Sequence, residues 1–571
     1  MMDYKQAYSA WQKALAGTAH EKELFALGQD EDLLKDSFYT EMEFGTAGMR
    51  GIIGLGTNRM NVYTVRRATQ ALARHVADIK GQGRGVAIAY DTRHKSRLFA
   101  EETAGVLLKN GIRVYMYMTP HSVPQLSFTV RELGCAAGVV ITASHNPPQY
   151  NGYKVFGEDG GQISTPLAQK ITGYITEIDD LFSVSGVDIQ SNPLFNEIGN
   201  ELDEVYYRKV EALCIHRDSI REQADKIKIV YTPLYGVGLT PVKRVLGDLG
   251  LNQLYVVAEQ EHPNPDFPTV ETPNPEERET LALAMQLAEN VDAGLILATD
   301  PDSDRLGVAV RNEDGGFTVL NGNEIGCLLM EYVLSQSKRD FSGGEYVIKS
   351  VVTSDLVNRI AECYGVELKT VYTGFRFIAE AIRKSELEGN SRFVFGFEES
   401  HGYLRGDFVR DKDAIQAAMS IAEAACYYAS KGKSLLQSVR DMYEKHGYYL
   451  EKVVFRVLYG QEGIAKIQNA VQTLRKEHPR QIGPFKVTAL RDYLKGERID
   501  LSTGQKAKID MEPSNVLYYE LDGARFVIRP SGTEPKIKTY LSAVAAGKSE
   551  AEQKMKELEQ AVREMLEALL A

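Results

Sequence analysis

No run of apolar residues in this chain is long enough to cross a bilayer, and the segment Met1-Met2-Asp3-Tyr4-Lys5-Gln6 has no apolar signal region. A cytoplasmic protein with no membrane partner is the expectation. Cysteine is sparse: five residues, at 135, 214, 327, 363 and 426, scattered and without a C-x-x-C pair. That pattern offers no zinc site and suits free thiols in a reducing compartment. Positive charge is not in surplus either. The 66 Lys and Arg against 78 Asp and Glu leave a net charge of −12. Nucleic acid and anionic membranes are thereby excluded as general partners, since both need a basic face. A small anionic substrate remains allowed, because a few arginines in a cleft set the local field. Two nucleotide fingerprints are missing as well. Gly236-Val237-Gly238 meets Pro241 where G-x-G-x-x-G needs its third glycine. Gly432-Lys433-Ser434 and Gly547-Lys548-Ser549 lack the upstream glycine of a Walker A loop. A dinucleotide-dependent dehydrogenase and a P-loop NTPase are both disfavoured.

What the chain does have is length, 571 residues with 43% hydrophobic content, enough for three or four domains. It also repeats itself. Three stretches share one order: an apolar strand, a helical segment, a glycine before a second strand, then a third strand. The first runs from Gly85-Val86-Ala87-Ile88-Ala89-Tyr90-Asp91 through Gly111-Ile112-Arg113-Val114-Tyr115 to Ala137-Gly138-Val139-Val140-Ile141. The second runs from Ile227-Lys228-Ile229-Val230-Tyr231 through Leu254-Tyr255-Val256-Val257 to Ala293-Gly294-Leu295-Ile296-Leu297-Ala298. The third runs from Tyr346-Val347-Ile348-Lys349 through Gly365-Val366-Glu367-Leu368 to Arg392-Phe393-Val394-Phe395-Gly396-Phe397. Strands alternating with helices read as parallel sheets with right-handed crossovers. Units this long are domains rather than solenoid repeats. The expected fold class is α/β in four domains. Three are repeated parallel or mixed-sheet α/β domains, and a smaller α+β carboxyl-terminal domain joins them around a central cleft. The expected boundaries are 1–210 (with a helical arm to about residue 40), 211–318, 319–445 and 446–571. A charged amphipathic helix from Ser549 is expected to pack on the last domain.

Each third strand ends in a polar cluster, where open α/β sheets keep their ligands. Thr142-Ala143-Ser144-His145-Asn146-Pro147 follows the first, and its prolines stop strand and helix alike, leaving Ser144 on a loop. By itself such a segment is an ordinary turn. Asp300-Pro301-Asp302-Ser303-Asp304-Arg305 follows the second. If this segment is extended, its alternate carboxylates converge, a hard oxygen set suited to Mg²⁺. An EF-hand is ruled out because Arg305 and Arg311 occupy the positions of its Gly and Glu. A phosphatase opening of the D-x-D type and a solvated acidic turn are the rivals. Glu398-Glu399-Ser400-His401-Gly402 follows the third strand, where Glu398 and Ser400 can bind sugar hydroxyls or form a salt-bridged loop. In the last domain Arg529-Pro530-Ser531-Gly532-Thr533-Glu534-Pro535 offers a guanidinium, hydroxyls and backbone N–H groups to a phosphate. Lys154 and the glycine-rich turn Gly45-Thr46-Ala47-Gly48-Met49-Arg50-Gly51 are weaker signals.

In this order the four motifs resemble the α-D-phosphohexomutase superfamily over nearly the whole chain, most like its bacterial α-phosphoglucomutase branch. The resemblance implies that Ser144 is phosphorylated in the active enzyme, and that Ser144, Asp300, Asp302 and Asp304 hold one Mg²⁺ per chain. It places Arg305 and Arg50 near the phosphoserine and makes Lys154 a general acid/base or a phosphate contact. Thr373-Gly374-Phe375-Arg376 then falls in a sugar-selecting loop, contributing Thr373, Gly374 and Arg376. His145, Glu398, Ser400 and Lys412 are implied as further substrate contacts, and Arg529, Ser531, Gly532 and Thr533 as the site for the phosphate not being transferred.

The implied reaction interconverts α-D-glucose 1-phosphate and glucose 6-phosphate, with glucose 1,6-bisphosphate as intermediate and activator. Partners are small sugar phosphates, and the chain is a monomer or homodimer. The fourth domain is the expected lid of a cleft that keeps water from the phosphoryl group. Some positions depart from better-defined subgroups. His401 follows Ser400 directly, and the Thr373 loop carries no sugar-diagnostic string. Pentose and mannose phosphates therefore stand as alternative substrates. A bisphosphate synthase or phosphatase using the same serine is the rival activity. A non-catalytic sugar-phosphate binder has little use for three metal carboxylates.

Overall fold

Among the described residues three sheets are built on one plan, with the first strand of each repeat between the second and third, which run parallel to it. Val86–Tyr90 lies between Val114–Tyr117 and Ala137–Ile141. Ile229–Thr232 lies between Leu254–Val256 and Leu295–Thr299. Glu345–Ser350 lies between Glu367–Val371 and Arg392–Glu398. Val86–Tyr90, Ala137–Ile141 and Leu295–Thr299 are buried at every residue. Strands covered on both faces read as unbroken apolar runs, which is why the sequence marks them so clearly. Helix starts are set by local chemistry. Asn61, Ser122 and Asn321 close capping boxes with Thr64, Gln125 and Glu324 at the heads of Val62–Asp78, Val123–Glu132 and Gly322–Gln336. The computed structural model describes residues 3–46, 48–337, 341, 343–389, 391–458, 460–530 and 536–570.

The sheets are mixed rather than purely parallel. After each third strand the chain returns as an antiparallel neighbour: Tyr150–Gly157, Leu306–Arg311 and Gly402–Leu404. The connections 142–149, 300–305 and 399–401 are too short for a parallel crossover, which needs about a dozen residues or more. Those three reversals are the polar clusters. Each contains a non-glycine residue with positive φ: Ser144 at 51°, Ser303 at 55° and His401 at 59°. A residue with a side chain adopts that conformation at a cost of about 1 kcal/mol or more, so its surroundings must impose it.

By its internal packing the chain forms two compact units, residues 1–350 with 365–436, and residues 351–364 with 437–571. The first holds the three repeated sheets. Its amino-terminal helices Tyr4–Leu15, Glu21–Leu27 and Glu31–Phe38 pack through Trp11, Leu15, Leu24, Leu34 and Phe38 against Leu55. Among the described residues no helix is long and apolar enough to cross a membrane.

The second unit is dominated by an antiparallel sheet. Tyr448–Val457, Lys536–Ala545, Ala524–Pro530, Leu517–Leu521 and Phe485–Asp492 are neighbours in that order. The helix Lys548–Leu570 lays Ala551, Met555, Leu558, Val562, Leu566 and Leu570 into its core, a helical spacing of three to four residues. Inside this unit Arg475 is buried with Asp492. Its Nε donates to both carboxylate oxygens at 3.2 and 3.0 Å, and its Nη2 to Asn515 Oδ1 at 2.7 Å. Asp492→Ala would strand a buried guanidinium and is expected to destabilise the protein by about 3–5 kcal/mol. Urea unfolding of the variant beside wild type measures it.

Candidate active site

The three reversals of the first unit meet at one place. Ser144 is 3% exposed, and its Oγ donates to Asp300 Oδ2 at 2.5 Å across the first and second repeats. Two other contacts fix its backbone. The Ser144 N–H donates to Thr142 Oγ1 at 2.9 Å, and its carbonyl accepts from Arg93 Nη2 at 2.6 Å. Thr142 Oγ1 donates in turn to Asp302 Oδ2 at 3.1 Å. His145 Nδ1 lies 3.1 Å from Ser144 Oγ. Burial, then Arg305 and Arg50, push His145 well below its ordinary value, so the ring is neutral.

Asp300, Asp302 and Asp304 do converge, with ligand oxygens all within 4.8 Å of one another and each carboxylate buried. They do so by a different geometry from the extended segment expected from sequence. The chain turns: the Ser303 N–H donates to the Asp300 carbonyl at 2.9 Å, and Asp300 Oδ1 accepts from the N–H groups of Asp304 and Arg305 at 3.1 and 3.0 Å. Those two amide bonds outweigh an extended backbone. Close approach helps as well. A Cβ on Gly236 would lie 2.3 Å from Pro301 Cα, so glycine there lets a second loop abut the turn.

Cations surround the triad. Lys154 Nζ lies 2.8 Å from Asp302 Oδ2 and 3.5 Å from Asp304 Oδ2, and Lys412 Nζ lies 3.1 Å from Asp304 Oδ2. Burial and then the neighbouring Asp302 and Asp304 push the Asp300 carboxyl well above the usual range. Burial also acts to raise Asp304, but Lys412, Lys154 and Arg305 outweigh it and hold that carboxyl below the usual range. For Lys154 burial favours the neutral amine, yet Asp302 and Asp304 win and keep it charged. Asp302 Oδ1 and Asp304 Oδ1 have no hydrogen-bond partner although they are buried. Hard oxygens without donors, packed this closely, fit a divalent cation of the Mg²⁺ kind.

The remaining expected residues fall at measured places. Arg305 Nη1 pairs with Glu276 Oε1 at 2.5 Å, and Arg50 Nη1 donates to Asn146 Oδ1 at 2.9 Å on the serine loop. Glu398 Oε1 accepts from the Gly374 N–H at 2.5 Å, joining the third reversal to the Thr373 loop. Thr373 Oγ1 and Arg376 Nη1 are buried without hydrogen-bond partners, and the Arg376 guanidinium lies 4.4 Å from the Phe377 ring centre. Lys412 links both regions, bonded to Asp304 and 5.5 Å from the Phe375 ring centre. The next residue, Asp413, caps the helix Ala414–Ser430 and accepts from Tyr206. Ser400 is half-buried beside these groups in sequence. Arg529 belongs to the second unit, where it sits across from Lys538 on the neighbouring strand. Ser531, Gly532 and Thr533 lie outside the described residues.

Four polar residues of the site carried no sequence signal strong enough to be singled out. Arg93 and Asp91 follow the first strand of the first repeat, so their strand-end position was the available clue. Asp411 holds Lys412 Nζ at 3.0 Å and accepts from Gln162 Nε2 at 2.7 Å. Glu276, in a proline-punctuated segment, pairs with Arg305 and lies 3.5 Å from His401 Nδ1. Burial acts to raise Glu276, but His401 and Arg305 hold it below the usual carboxylate range.

Glu398 makes a test of this electrostatics. Burial and then the neighbouring Glu399 push its carboxyl up to about 7. The folded protein therefore holds this proton more tightly than the unfolded chain. Its ionisation costs nothing near pH 4, an increasing amount through the interval up to pH 7, and a constant amount above. Glu398→Gln is expected to gain about 2–3 kcal/mol of stability over wild type at pH 8 and little at pH 4.5. Urea midpoints at the two pH values check the sign.

Sequence comparison agrees with this architecture. Residues 41–181, 204–315 and 321–446 match the descriptions phosphoglucomutase/phosphomannomutase, alpha/beta/alpha domains I, II and III. Residues 485–561 match the carboxyl-terminal domain of the same family. The fold is that of a phosphosugar mutase. The chain is 36% identical to the phosphoglucomutase of Staphylococcus saprophyticus over 91% of its length and 96% of that protein. It is 37% identical to the phosphoglucomutase of Staphylococcus epidermidis, over 90% and 95%. In three dimensions it overlays the open form of parafusin, a Paramecium phosphoglucomutase, with a TM-score of 0.66 and 16% identity, covering 92% of this chain and 96% of that one. The chain belongs to the phosphoglucomutase/phosphomannomutase family.

Proposed function

We propose that this chain is a phosphoserine mutase that interconverts α-D-glucose 1-phosphate and glucose 6-phosphate. The Ser144 Oγ–P bond breaks as a bond forms between that phosphorus and the free hydroxyl oxygen of the sugar monophosphate, and the hydroxyl proton ends on Ser144 Oγ; the return step reverses this exchange. The resulting glucose 1,6-bisphosphate turns over in the site, and its other phosphate returns to Ser144 Oγ. The observation that carries this reading is the serine hydroxyl held 2.5 Å from a buried three-carboxylate cluster, with Lys154 and Arg305 close by.

Ser144, Asp300, Asp302 and Asp304 would hold the metal. When bound, Mg²⁺ supplies positive charge to the phosphate oxygens, offsetting the charge of about −1.5 to −2 on a phosphoserine. Lys154 and Arg305 add fixed cations at the same place, and Lys154 is within reach to exchange the proton or to hold an oxygen. Glu398, Ser400 and the Thr373–Arg376 loop would orient sugar hydroxyls. Arg529 with Ser531, Gly532 and Thr533 would take the phosphate that stays on the sugar.

A coupled assay decides it, with glucose 1-phosphate, Mg²⁺ and catalytic glucose 1,6-bisphosphate, following glucose 6-phosphate. The intact mass of the protein is read beside it. Rapid turnover with one phosphate on Ser144 supports the reading. Turnover only with ribose 1-phosphate or mannose 1-phosphate moves the substrate. Steady release of inorganic phosphate makes the chain a phosphatase.

A further inference from the structure

We infer that Arg93, backed by the Phe267 ring, is the positioning residue that holds the Ser144 loop in its reactive conformation; this rests on Ser144 being the phosphoryl carrier. Arg93 is buried, with no exposure of its side chain. All of its Nη contacts go to main-chain carbonyls of one short segment. Nη1 donates to Pro147 O at 2.8 Å and Tyr150 O at 3.1 Å, and Nη2 donates to Ser144 O at 2.6 Å and to Asn146 O. Its Nε faces Asp91 Oδ2 at 3.5 Å, while Asp91 Oδ1 accepts from the Arg93 N–H and from Ser96 Oγ. One guanidinium therefore ties down carbonyls from residue 144 to residue 150, the whole reversal that presents the serine.

The face of that guanidinium lies 4.9 Å from the centre of the Phe267 ring. Phe267 comes from the second repeat and is itself unusual: fully buried, with φ of 46°. A bulky residue in that region is an outlier that its surroundings must enforce, and such outliers cluster at functional sites. Arg93 thus holds the loop, and Phe267 from the second repeat backs the guanidinium that does so. The Arg93 Nη groups donate to the loop carbonyls rather than to the aspartate triad. A lysine at 93 reaches one point rather than four carbonyls, because it lacks the planar fork. Phosphoryl transfer depends on placement, and displacement of about 1 Å can cost about 100-fold in rate.

The test uses the full-length Mg²⁺-loaded protein and compares wild type, Arg93→Lys, Phe267→Leu and Phe267→Tyr. The three readouts are turnover per phosphorylated Ser144 (by intact mass), KM for glucose 1-phosphate, and Tm. The expected result for Arg93→Lys is about a 100-fold fall in kcat per phosphorylated site with KM within about threefold of wild type. Phe267→Leu is expected to fall about tenfold in the same way, and Phe267→Tyr, which keeps the ring, to recover. A purely structural part would lower Tm and the phosphorylated fraction but leave turnover per phosphorylated site unchanged, which overturns the inference. If Arg93→Lys does not fold, the Phe267 pair alone decides. Wild type that turns over without phosphate on Ser144 removes the serine mechanism and this inference with it. Wild type that is phosphorylated and active, beside a Phe267→Leu variant of normal kcat, removes the inference only.

Discussion

Ser144→Ala is expected to lower turnover of glucose 1-phosphate by at least about 10⁴-fold, because it deletes the atom that carries the phosphoryl group rather than one of several groups that assist it. Little else should change. The Ser144 carbonyl and N–H remain tied to Arg93 and Thr142, so the variant should fold, bind sugar phosphate and show no added phosphate by intact mass. Ser144→Thr separates the hydroxyl from its placement. It retains an O–H, but a β-branched residue at φ 51° is strongly disfavoured. Threonine is therefore expected to restore little activity despite its hydroxyl. Substantial turnover by either variant in the coupled assay would remove Ser144 from the mechanism.

The second large effect concerns the carboxylate triad. Chelation by EDTA should abolish turnover, and added Mg²⁺ should restore it. A ligand that binds only the folded state stabilises by about 2.7 kcal/mol at a hundredfold excess over its dissociation constant, so Tm should fall on chelation. Asp300→Asn is expected to act with opposite signs on the two quantities. Burial and the nearby Asp302 and Asp304 disfavour the ionised Asp300, so the neutral amide should raise the Tm of metal-free protein. The same change removes one anionic ligand and should weaken Mg²⁺ binding by about 10–100-fold, read by titration calorimetry. Equal Mg²⁺ affinity in wild type and variant would mean that the triad is not the metal site.

Much of this site was legible before any coordinate, and the reason is specific. A parallel strand buried on both faces must be continuously apolar, so Ala137–Ile141 and Leu295–Thr299 stand out, and the first polar residues after them mark a strand end. Ser144 and the three aspartates are found that way. The local path of the chain was less legible. Alternating aspartates suggest an extended segment, whereas Asp300 Oδ1 accepts two backbone N–H groups and bends residues 300–305 into a turn. Side-chain capping of this kind competes with extended structure, and short aspartate-rich segments satisfy both patterns.

Arg93 and Glu276 were much less legible, the only clue being that Arg93 follows a strand end. Neither belongs to the four motifs, and each acts on a partner distant in sequence: Arg93 on the carbonyls of residues 144–150, Glu276 on Arg305 and His401. An arginine in a sequence is ordinarily solvated, and only burial against a ring and four carbonyls makes it a clamp.

The sequence by itself determined the repeated strand order, the carboxyl-terminal helix with its apolar stripe, and the chemical identity of the serine, carboxylates and cations, because periodicity and residue type are local properties. The tertiary structure alone decided that three chain reversals meet, that Ser144 lies on Asp300, that Lys412 reaches Asp304, and that Arg93, backed by Phe267, holds the carbonyls of the serine loop. Those facts depend on contacts between residues distant in sequence, 51 positions apart for Arg93 and Ser144 and 156 for Ser144 and Asp300, which are set by how the chain packs and not by any one segment of it.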